Sequence, residues 1–408
     1  MGKVVGNRDF LPVLLGGDIN VYSMARAFHE AYGFASAGFG MTKSGVCMNS
    51  AIIDYQAVAN ADDPAVLFGL VGDLAKQNSE RIILPIPVGD SYIQALAAVR
   101  DRLPENVRDS GITSERFEEL TDKSRFYDLC AEYGLDYPDS QSIDTAEALE
   151  DIHFEYPLII KPADGVAYWS HPFPDMEKVY LVRDAARARA VCEDIFNSGY
   201  DKSLIVQEYI PGDDTYMRVL TTYSNHDGKV LMSCMGHVLL EEHTPKGKGN
   251  HAVIISRQDL EVELAIKAFL ESIAYTGPAN FDFKYDERTQ SLKLFEINLR
   301  QGRSNYYVTA SGLNLAELIA DDLVYHQTKD YVSVNKPTLW MVIPPAVAID
   351  NIDFNRYFGQ MHKLIASDRS VNPLIYKADK GLRHQIRVKR SMLRHASNFR
   401  RFYKREQM

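Results

Sequence analysis

The 408-residue sequence contains few cysteines and no long hydrophobic segment. Its four cysteines are far apart and form no Cys-x-x-Cys pair, which argues against a disulfide framework or a zinc site and fits a reducing cytoplasm. No apolar run reaches the roughly 18 residues that a membrane-spanning helix needs. The sequence also lacks the Gly-x-Gly-x-x-Gly fingerprint of dinucleotide-binding folds and the Gly-x-Ser-x-Gly motif of serine hydrolases. The missing dinucleotide fingerprint disfavours an NAD-dependent oxidoreductase.

The overall composition is that of an ordinary globular protein, but the charges are distributed unevenly along the chain. The length predicts two to four structural units. Residues 380–408 contain ten Lys or Arg and the single acid Glu406, so this tail carries +9 while the rest of the chain carries −19. No nucleic-acid recognition module accompanies the tail, and an acidic body disfavours nucleic-acid binding. Apolar residues recur at helical spacing in it, which predicts a basic amphipathic helix that either packs on its own acidic body or contacts an anionic membrane or partner.

The N-terminal third contains two segments that are typical of doubly wound α/β folds. Residues 10–33 predict a buried strand, a glycine-rich turn, a helix capped by Asp18 or Asn20, and a helix end at Gly33. Residues 81–103 repeat the scheme, with a glycine and an aspartate between the strand and the helix. Both turns follow the carboxyl ends of strands, where open α/β sheets bind their ligands.

The pattern changes near residue 114. Residues 113–138 are helical in pattern, and residues 156–164 form an apolar strand that runs into Lys161. Residues 203–223 predict a strand, a turn that carries Asp213 and Asp214, and a further strand. The next hairpin contains a Gly- and Lys-rich loop at residues 243–250, which we interpret either as a lid or as an exposed loop.

A second predicted hairpin, formed by residues 280–291 and 292–305, carries the most informative pattern. In the first strand, Phe281, Phe283 and Tyr285 alternate with Asp282, Lys284 and Asp286. In the second, Phe295, Ile297 and Leu299 alternate with Glu296, Asn298 and Arg300. Strand side chains alternate between two faces, so one face is predicted to be buried and the other polar. The short loop between the strands predicts that Asp282 lies opposite or diagonal to Glu296.

Two carboxylates held that close repel each other unless a cation lies between them. Oxygen atoms of Asp, Glu and Asn side chains are ligands that Mg²⁺ prefers, and Mg²⁺ usually shares its coordination with phosphate oxygens. The polar face therefore predicts a site for Mg²⁺ and nucleotide phosphates, with Asp282, Glu296 and Asn298 as ligands and Arg300 as a phosphate-binding cation. A merely solvated outer face is the alternative interpretation.

These segments, in this order, resemble the ATP-grasp superfamily of carboxylate–amine ligases, and more specifically the D-aspartate ligase family. The resemblance covers about residues 10–330 and rests on five stretches: "LLGGDINVYSMARAFHEAYG", "DKSRFYDLCAEYGLDYP", "QEYIPGDDTYMRVL", "YTGPANFDFKYD" and "KLFEINLRQGRSN". It implies an α/β fold in which a doubly wound pre-ATP-grasp domain (residues 1–113) precedes an α+β ATP-grasp domain (residues 114–330). Residues 331–408 would form a C-terminal segment with the basic tail.

The resemblance also implies roles for individual residues. The nucleotide-binding residues that it implies are Lys123, Lys161, Gln207, Glu208, Tyr209, Ile210, Asp213 and Asp214. Of these, the two lysines would contact the nucleotide and its phosphates, and residues 207–210 would form the hinge beside the adenine. Asp214, or Asp213 before it, would accept hydrogen bonds from the ribose hydroxyls. The magnesium ligands would be the residues predicted above. Arg300 and Arg218 would neutralise the transferred phosphoryl group, and Arg303 and Ser304 would reach the amino-acid substrate.

The implied reaction consumes ATP and requires Mg²⁺. Phosphorylation of a carboxylate would give an acyl phosphate, which an amine attacks to form an amide or isopeptide bond. The family resemblance implies D-aspartate as the amino acid and the lysine amine of a UDP-linked muropeptide, a peptidoglycan precursor, as the acceptor. A ligase for another amino acid or another amine is the main alternative. A non-catalytic nucleotide-binding regulator is less favoured because all three metal ligands are present.

Overall fold

The computed structural model describes residues 5–244, 247–327, 329–352 and 356–403. The chain forms two compact units. Unit 1 comprises residues 1–117, 214–282 and 297–408, and unit 2 comprises residues 118–213 and 283–296. The domain limits predicted at residues 113/114 and 330/331 divide the chain differently, because unit 2 is built from two separate segments.

The described residues form sixteen strands and thirteen α-helices. The strands are β1 (Phe10–Leu15), β2 (Ser36–Gly40), β3 (Ile53–Ala57), β4 (Ile82–Pro87), β5 (Ser140–Ile143), β6 (Leu158–Pro162), β7 (Tyr180–Val182), β8 (Leu204–Glu208), β9 (Met217–Ser224), β10 (Val230–Glu241), β11 (His251–Arg257), β12 (Gly277–Asp286), β13 (Ser291–Asn298), β14 (Val332–Ser333), β15 (Leu339–Met341) and β16 (Ser370–Val371). The helices are α1 (Ile19–Tyr32), α2 (Pro64–Gln77), α3 (Asp90–Val99), α4 (Ser114–Thr121), α5 (Lys123–Glu132), α6 (Gly165–Trp169), α7 (Ala185–Asn197), α8 (Leu260–Ser272), α9 (Tyr306–Ala310), α10 (Leu315–Leu323), α11 (Pro345–Asn351), α12 (Phe358–Ala366) and α13 (Leu382–Phe402).

Unit 1 begins with a parallel sheet of strand order β3-β2-β1-β4. The predicted turns are confirmed: Asp18 caps α1 by accepting from the amides of Asn20 and Val21, and Gly33 ends it in the left-handed conformation at φ 74°. Buried residues of α1 join one apolar core, and those of α2 and α3 join another that contains alternate residues of β1. Helices on both faces of a parallel sheet confirm the predicted doubly wound arrangement.

The larger sheet has the order β13-β12-β9-β10-β11-β15-β16, with β14 paired to β10. Hydrophobic side chains of β10, β11 and β15 pack with those of α1, α9 and α10 in one core, which includes Tyr22, Phe28, Val253, Tyr307 and Trp340. Burial of this apolar surface is the main stabilising contribution to unit 1.

Unit 2 is built around an antiparallel sheet of order β5-β8-β6-β7. Its core comprises apolar residues of these strands and of α6 and α7, including Ile160, Tyr168, Ile195 and Val206. Alternation along β6 buries Leu158, Ile160 and Pro162 and leaves Lys161 on the other face. The sheet thus places this lysine opposite the apolar core.

The informative hairpin is confirmed, with two local corrections. Strands β12 and β13 are neighbours in the large sheet, and Phe281, Phe283, Ile297 and Leu299 are buried as predicted. Phe295 is only half-buried, whereas Leu294 is 1% exposed. Strict alternation therefore fails at this end of β13.

Asp286 is the second correction, since it was predicted to lie on the polar face beside Asp282. Its side chain is 1% exposed and forms an ion pair with Arg288 at 2.7 Å. The hydrogen bonds from Arg288 hold the pKa of the Asp286 carboxyl below its usual range. A buried carboxylate requires such a partner, so Asp286 fixes the hairpin turn and does not face a ligand.

The basic tail forms α13, and one side of this helix packs on unit 1. His384, Val388 and Phe399 are buried, and the His384 ring stacks on Tyr22 with centroids 5.0 Å apart. The opposite side exposes Leu382 and Leu393 by 71% and 72%. The predicted amphipathic helix is confirmed, and its packing on the body agrees with the first of the two predicted arrangements. Within the described residues, no helix is both long and apolar enough to cross a lipid bilayer.

Candidate functional site

In unit 2, a hydrogen-bond network surrounds Lys161. The Lys161 ammonium donates to Gln207 Oε1 at 3.1 Å and to the Tyr127 hydroxyl at 3.5 Å, and Gln207 Nε2 donates to the same hydroxyl at 2.9 Å. Burial, together with the nearby charge of Lys123, lowers the pKa of Lys161 to about 7, and Glu296 opposes the shift. The structure therefore brings together two predicted lysines and Glu296. A cation whose hydrogen-bond acceptors here are neutral is suited to bind an anion such as phosphate.

The predicted adenine hinge begins at the end of β8. Gln207 is buried within the Lys161 network, so its side chain orients the lysine. Glu208 accepts from the Asp139 amide at 3.2 Å and from Arg288 Nη2 at 2.8 Å. Ile210 is buried, and the Tyr209 ring lies 5.4 Å from the Lys284 ammonium. Because the strand ends at Glu208, the following backbone groups are no longer committed to sheet pairing in β8.

Unit 1 contains Asp282 and Asn298, the other two residues of the predicted metal set. Asn298 Nδ2 donates to Asp282 Oδ2 at 3.2 Å, and Asn280 Nδ2 lies 3.5 Å from Asp282 Oδ1. Asn298 Oδ1 accepts from Arg300 Nη2 at 3.3 Å. To bind a metal together with Asp282, the amide of Asn298 must rotate by about half a turn, a change that a terminal amide torsion permits readily.

The donor chemistry of these residues fits Mg²⁺. Within residues 5–244, 247–327, 329–352 and 356–403, no group of three or more His, Cys, Asp or Glu side chains is arranged to hold a metal ion. The predicted set comprises two carboxylates and one amide, and Mg²⁺ at such open sites completes its shell with waters and phosphate oxygens. The set thus matches a nucleotide-associated ion better than a closed structural metal site.

Arg300 and Arg303 follow β13, and each is paired with a carboxylate. Arg300 Nε donates to Asp90 Oδ1 at 2.8 Å, and Arg303 Nη2 donates to Glu242 Oε1 at 3.1 Å. Arg303 Nη1 is buried and, among the described residues, has no hydrogen-bond partner. Burial raises the pKa of Asp18, and Arg303 opposes the shift. The predicted Ser304 is 3% exposed and lies in the same turn.

Strand alternation places Arg218 away from this group, and its predicted joint role with Arg300 stays a prediction. Thr221 on β9 donates to Asn280 on β12 at 3.2 Å, which places Thr221 on the face that carries Asn280 and Asp282. Arg218 is three residues before Thr221 in the same strand, and alternation directs it to the opposite face. Its cross-strand partner is His237.

Asp214 has structural contacts that the sequence did not predict. Its carboxylate accepts from the Glu241 amide at 2.8 Å and lies 3.0 Å from His243 Nε2. It therefore holds the start of the predicted lid loop, whereas its role with the ribose hydroxyls stays a prediction. Residues 245 and 246 of that loop lie outside the described residues. Asp213 is the last residue of the first segment of unit 2.

Sequence reasoning missed Tyr127 and His251. Tyr127 lies on α5 and donates to the Phe295 carbonyl at 3.0 Å, so it connects that helix to β13. His251 Nε2 lies 3.9 Å from Asp282 Oδ1 and 3.8 Å from Glu241 Oε1. Burial and the charge of Arg303 lower the pKa of His251 to about 4, so its ring is neutral at pH 7. His251 on β11 pairs with Glu241 on β10, and a register shift comes immediately before this pair. The pairing of the two strands was the signal from which the position of His251 could have been predicted, but the shift obscured it.

Comparison with known proteins identifies the family. The D-aspartate ligase of Enterococcus faecium (strain Aus0004) is 34% identical over 418 residues, which cover 99% of both chains. The chain belongs to the D-aspartate ligase family. A D-alanine–D-alanine ligase of Prochlorococcus marinus (strain NATL2A) is 29% identical over 184 residues, which cover 41% of this chain and 48% of that protein. No model of a protein family matches the sequence.

Solved structures agree with this membership of the D-aspartate ligase family at the level of the fold. The N5-carboxyaminoimidazole synthetase of Staphylococcus aureus, solved as its ADP complex, superposes with a TM-score of 0.60 at 13% identity. The match covers 88% of this chain and 89% of that one. The predicted ATP-grasp fold is thereby confirmed.

Proposed function

We propose that this protein is an ATP-dependent ligase that joins D-aspartate to the lysine amine of a UDP-linked muropeptide through an acyl phosphate. The full-length similarity to a D-aspartate ligase supports the reaction class. The observation that carries the geometric case is the Lys161 ammonium, which is held by Gln207 and Tyr127 and has its pKa lowered by burial and by Lys123. Burying a cation in this way is unfavourable unless an anion binds it, and ATP phosphates supply that anion.

The chain's own residues have separate tasks in this reaction. Lys161 and Lys123 would neutralise nucleotide phosphates, and the backbone after Glu208 would bind the adenine. Arg300 would balance negative charge on the phosphoryl group as it moves to the substrate carboxylate. The attacking amine then displaces phosphate and loses a proton, and the products are an amide, ADP and phosphate.

Asp282, Glu296 and Asn298 would hold Mg²⁺, which when bound supplies charge neutralisation at the phosphates. His251 would remain neutral beside Asp282, because its lowered pKa prevents protonation at pH 7. A neutral ring adds no positive charge that would compete with the metal for that carboxylate. The free state of all four cysteines and the use of ATP support a cytoplasmic location.

The buried Nη1 of Arg303, which has no hydrogen-bond partner among the residues that the structure describes, supports a dicarboxylic amino acid as the substrate. We infer that Arg303 binds the carboxylate that does not react, while Glu242 keeps the guanidinium in place. Neutral amino acids would leave this buried donor unsatisfied, and such mismatches discriminate strongly.

ADP release from purified protein, measured with D- and L-amino acids and with or without the muropeptide, tests the proposed function. D-aspartate with a lysine-containing acceptor is expected to give the highest rate, and L-aspartate a much lower one. A higher rate with L-aspartate or a neutral amino acid would leave an ATP-grasp ligase but reject the D-aspartate assignment. Absence of ADP release with every substrate would favour a nucleotide-binding regulator.

Arg303→Lys is expected to raise the KM for D-aspartate about tenfold or more, since an ammonium cannot reproduce bidentate contact with a carboxylate. The KM for ATP should change little. Steady-state kinetics with each substrate varied in turn measure the two values. An equal rise in both KM values would indicate a general distortion and reject the clamp.

We further propose that α13 contacts anionic lipid, which would bring the protein to the membrane where precursors are used. Its outer side combines exposed Leu382, Ile386 and Leu393 with exposed arginines and lysines, and α13 contains no acidic residue. Basic residues near an anionic bilayer and apolar side chains inserted at its surface both favour such contact.

The tail contributes buried residues to unit 1, so substitution is a better test than deletion. Arg390→Glu combined with Arg394→Glu is expected to lower binding to phosphatidylserine vesicles at least tenfold, because both side chains are exposed on α13. The matched control is Lys43→Glu combined with Lys76→Glu, an equal charge change at exposed positions elsewhere in unit 1. Co-sedimentation at two salt concentrations measures binding, and equal loss in both double variants would reject a specific role for α13.

A further inference from the structure

The packed side of α13 reaches a residue that the proposed function assigns to the amino-acid site. Val388 and Phe399 are buried on this helix, and His395 lies seven positions after the first and four before the second. Residues at these spacings share one face of an α-helix. The His395 side chain is 17% exposed, and its Nδ1 lies 3.8 Å from Glu242 Oε1. The C-terminal helix therefore contacts the carboxylate that holds Arg303.

Arg303 and His395 converge on one oxygen atom of Glu242. Oε1 of this carboxylate accepts from Arg303 Nη2 at 3.1 Å, and the same oxygen faces the His395 ring. The Glu242 amide donates to the Asn250 carbonyl at 2.8 Å, which fixes the backbone just after β10. The freedom that remains to Glu242 is therefore in its side chain, whose several torsions favour disorder in solvent. The imidazole lies against the carboxylate and removes part of that freedom.

The His395 ring restrains this carboxylate without displacing Arg303. Burial lowers the pKa of His395; Glu242 opposes the shift, and Arg303 and Arg394 add to it. The ring is therefore neutral at pH 7, and its distance from Glu242 exceeds that of a hydrogen bond. A neutral ring at this distance acts by packing and by its dipole, so the charged pair of Glu242 and Arg303 stays intact.

We propose that His395 is a positioning residue for the amino-acid site, because it holds Glu242 in the rotamer that pairs with Arg303. The inference rests on the proposed function, in which Arg303 binds the carboxylate that does not react. Restricting the side chains of a site before the substrate arrives reduces the entropy that binding must overcome. Since His395 acts through Glu242, its loss should change the KM for D-aspartate and leave kcat and the KM for ATP unchanged. The basic C-terminal helix would thus be part of the substrate site.

Two substitutions of His395 separate its polar contact from its volume. His395→Leu keeps most of the volume but has no polar side-chain atom, and it is expected to raise the KM for D-aspartate about fivefold. His395→Asn can place its amide nitrogen near the position of Nδ1 and should stay within about twofold of the unmodified KM. Steady-state kinetics measure these values together with kcat and the KM for ATP.

Val388→Ala is the matched control for the packing of the helix. It removes buried side-chain atoms from the same face of α13, seven positions before His395, and should leave the KM for D-aspartate unchanged. An equal rise in KM in Val388→Ala and His395→Leu would show that both loosen the helix and would reject a specific role for His395.

A double-mutant cycle tests whether His395 acts through Glu242. Glu242→Gln alone is expected to raise the KM for D-aspartate about tenfold, because a neutral amide holds a guanidinium less firmly than a carboxylate does. Adding His395→Leu to this variant should raise the KM no further, since the contact is already lost. An unchanged KM in His395→Leu, or a double variant whose effect equals the product of the two single effects, would reject the inference.

The choice of substrate separates this inference from the proposed function. If another amino acid supports ADP release instead of D-aspartate, the cycle applied to the KM of that amino acid decides the role of His395, and only the D-aspartate assignment fails. Release of ADP with D-aspartate together with independent effects in the cycle would retain the proposed function and reject the role of His395. Without ADP release from any amino acid, the calorimetric Kd for D-aspartate takes the place of the KM, and absence of D-aspartate binding would reject the inference as well.

Discussion

Glu296→Gln is expected to lower kcat by about two to three orders of magnitude while the protein stays folded, because the substitution removes a charged metal ligand at nearly constant volume. The Mg²⁺ concentration that gives half-maximal activity should rise as well. Glu296 also raises the pKa of Lys161, so its loss would reduce the protonated fraction of that lysine near pH 7. Both effects weaken binding of the nucleotide phosphates.

A comparison at two pH values separates these effects. At pH 6 most of the Lys161 side chains are protonated in the unmodified protein, so a defect of Glu296→Gln that persists at pH 6 with saturating ATP belongs to the metal. Glu287→Gln, at an exposed position in the same hairpin, is the control. Turnover of Glu296→Gln within a few fold of the unmodified rate, at limiting Mg²⁺, would exclude Glu296 as a metal ligand.

The local features of this protein could be predicted from the sequence because each depends on neighbouring residues. The helix that begins at Asp18 and ends at Gly33 follows from capping chemistry, and the β12–β13 hairpin follows from period-two alternation. Asp286 departs from that alternation because its ion pair with Arg288 overrides it, and at Phe295 the neighbouring Leu294 is buried instead. Periodicity therefore predicted where the hairpin and its polar face lie but overstated the regularity of the alternation.

The associations that depend on long-range pairing could not be predicted. Asp18 and Arg303 are separated by nearly three hundred positions, and only the topology of unit 1 brings them near each other. The separation of Arg218 from Arg300 depends on strand register, which the sequence does not specify at the end of β9. His251 lies 3.9 Å from Asp282, and the β10–β11 pair that carries His251 contains register shifts that the sequence does not reveal. Because these residues include the one proposed to bind the amino acid, the choice of substrate had to be based on family resemblance as well as on physical reasoning.

The other large effect concerns the pH dependence of nucleotide binding. The pKa of Lys161 is about 7 in the ligand-free protein, and bound phosphates favour the charged form and raise it. ATP binding is therefore expected to be accompanied by proton uptake above pH 7, and the Kd for a non-hydrolysable ATP analogue should rise about tenfold between pH 6 and pH 8. Calorimetry in buffers of different ionisation enthalpy measures both the affinity and the protons taken up.

Lys161→Arg isolates the contribution of the lysine, because a guanidinium stays charged throughout this range. The variant should bind the analogue with little change between pH 6 and pH 8, apart from the titration of the nucleotide itself, which is common to both proteins. Lys161→Gln should bind weakly at every pH. An equally steep pH dependence in the unmodified protein and in Lys161→Arg would assign the titration to another group.

The same pKa predicts an opposite trend for the stability of the ligand-free protein. Lys161 has a lower pKa in the folded chain than the usual 10.5, so between about pH 7 and pH 10.5 the unfolded chain binds the additional proton. The free energy of unfolding should therefore receive an increasing contribution from this lysine as the pH rises through that window, and none from its titration below pH 7. Urea denaturation of the unmodified protein and of Lys161→Gln, compared at pH 6.5 and pH 9, should show this increase only in the former. The neutral form of Lys161 thus stabilises the fold, whereas ATP binding needs the charged form. The charge of Lys161 therefore favours nucleotide binding and disfavours the folded state.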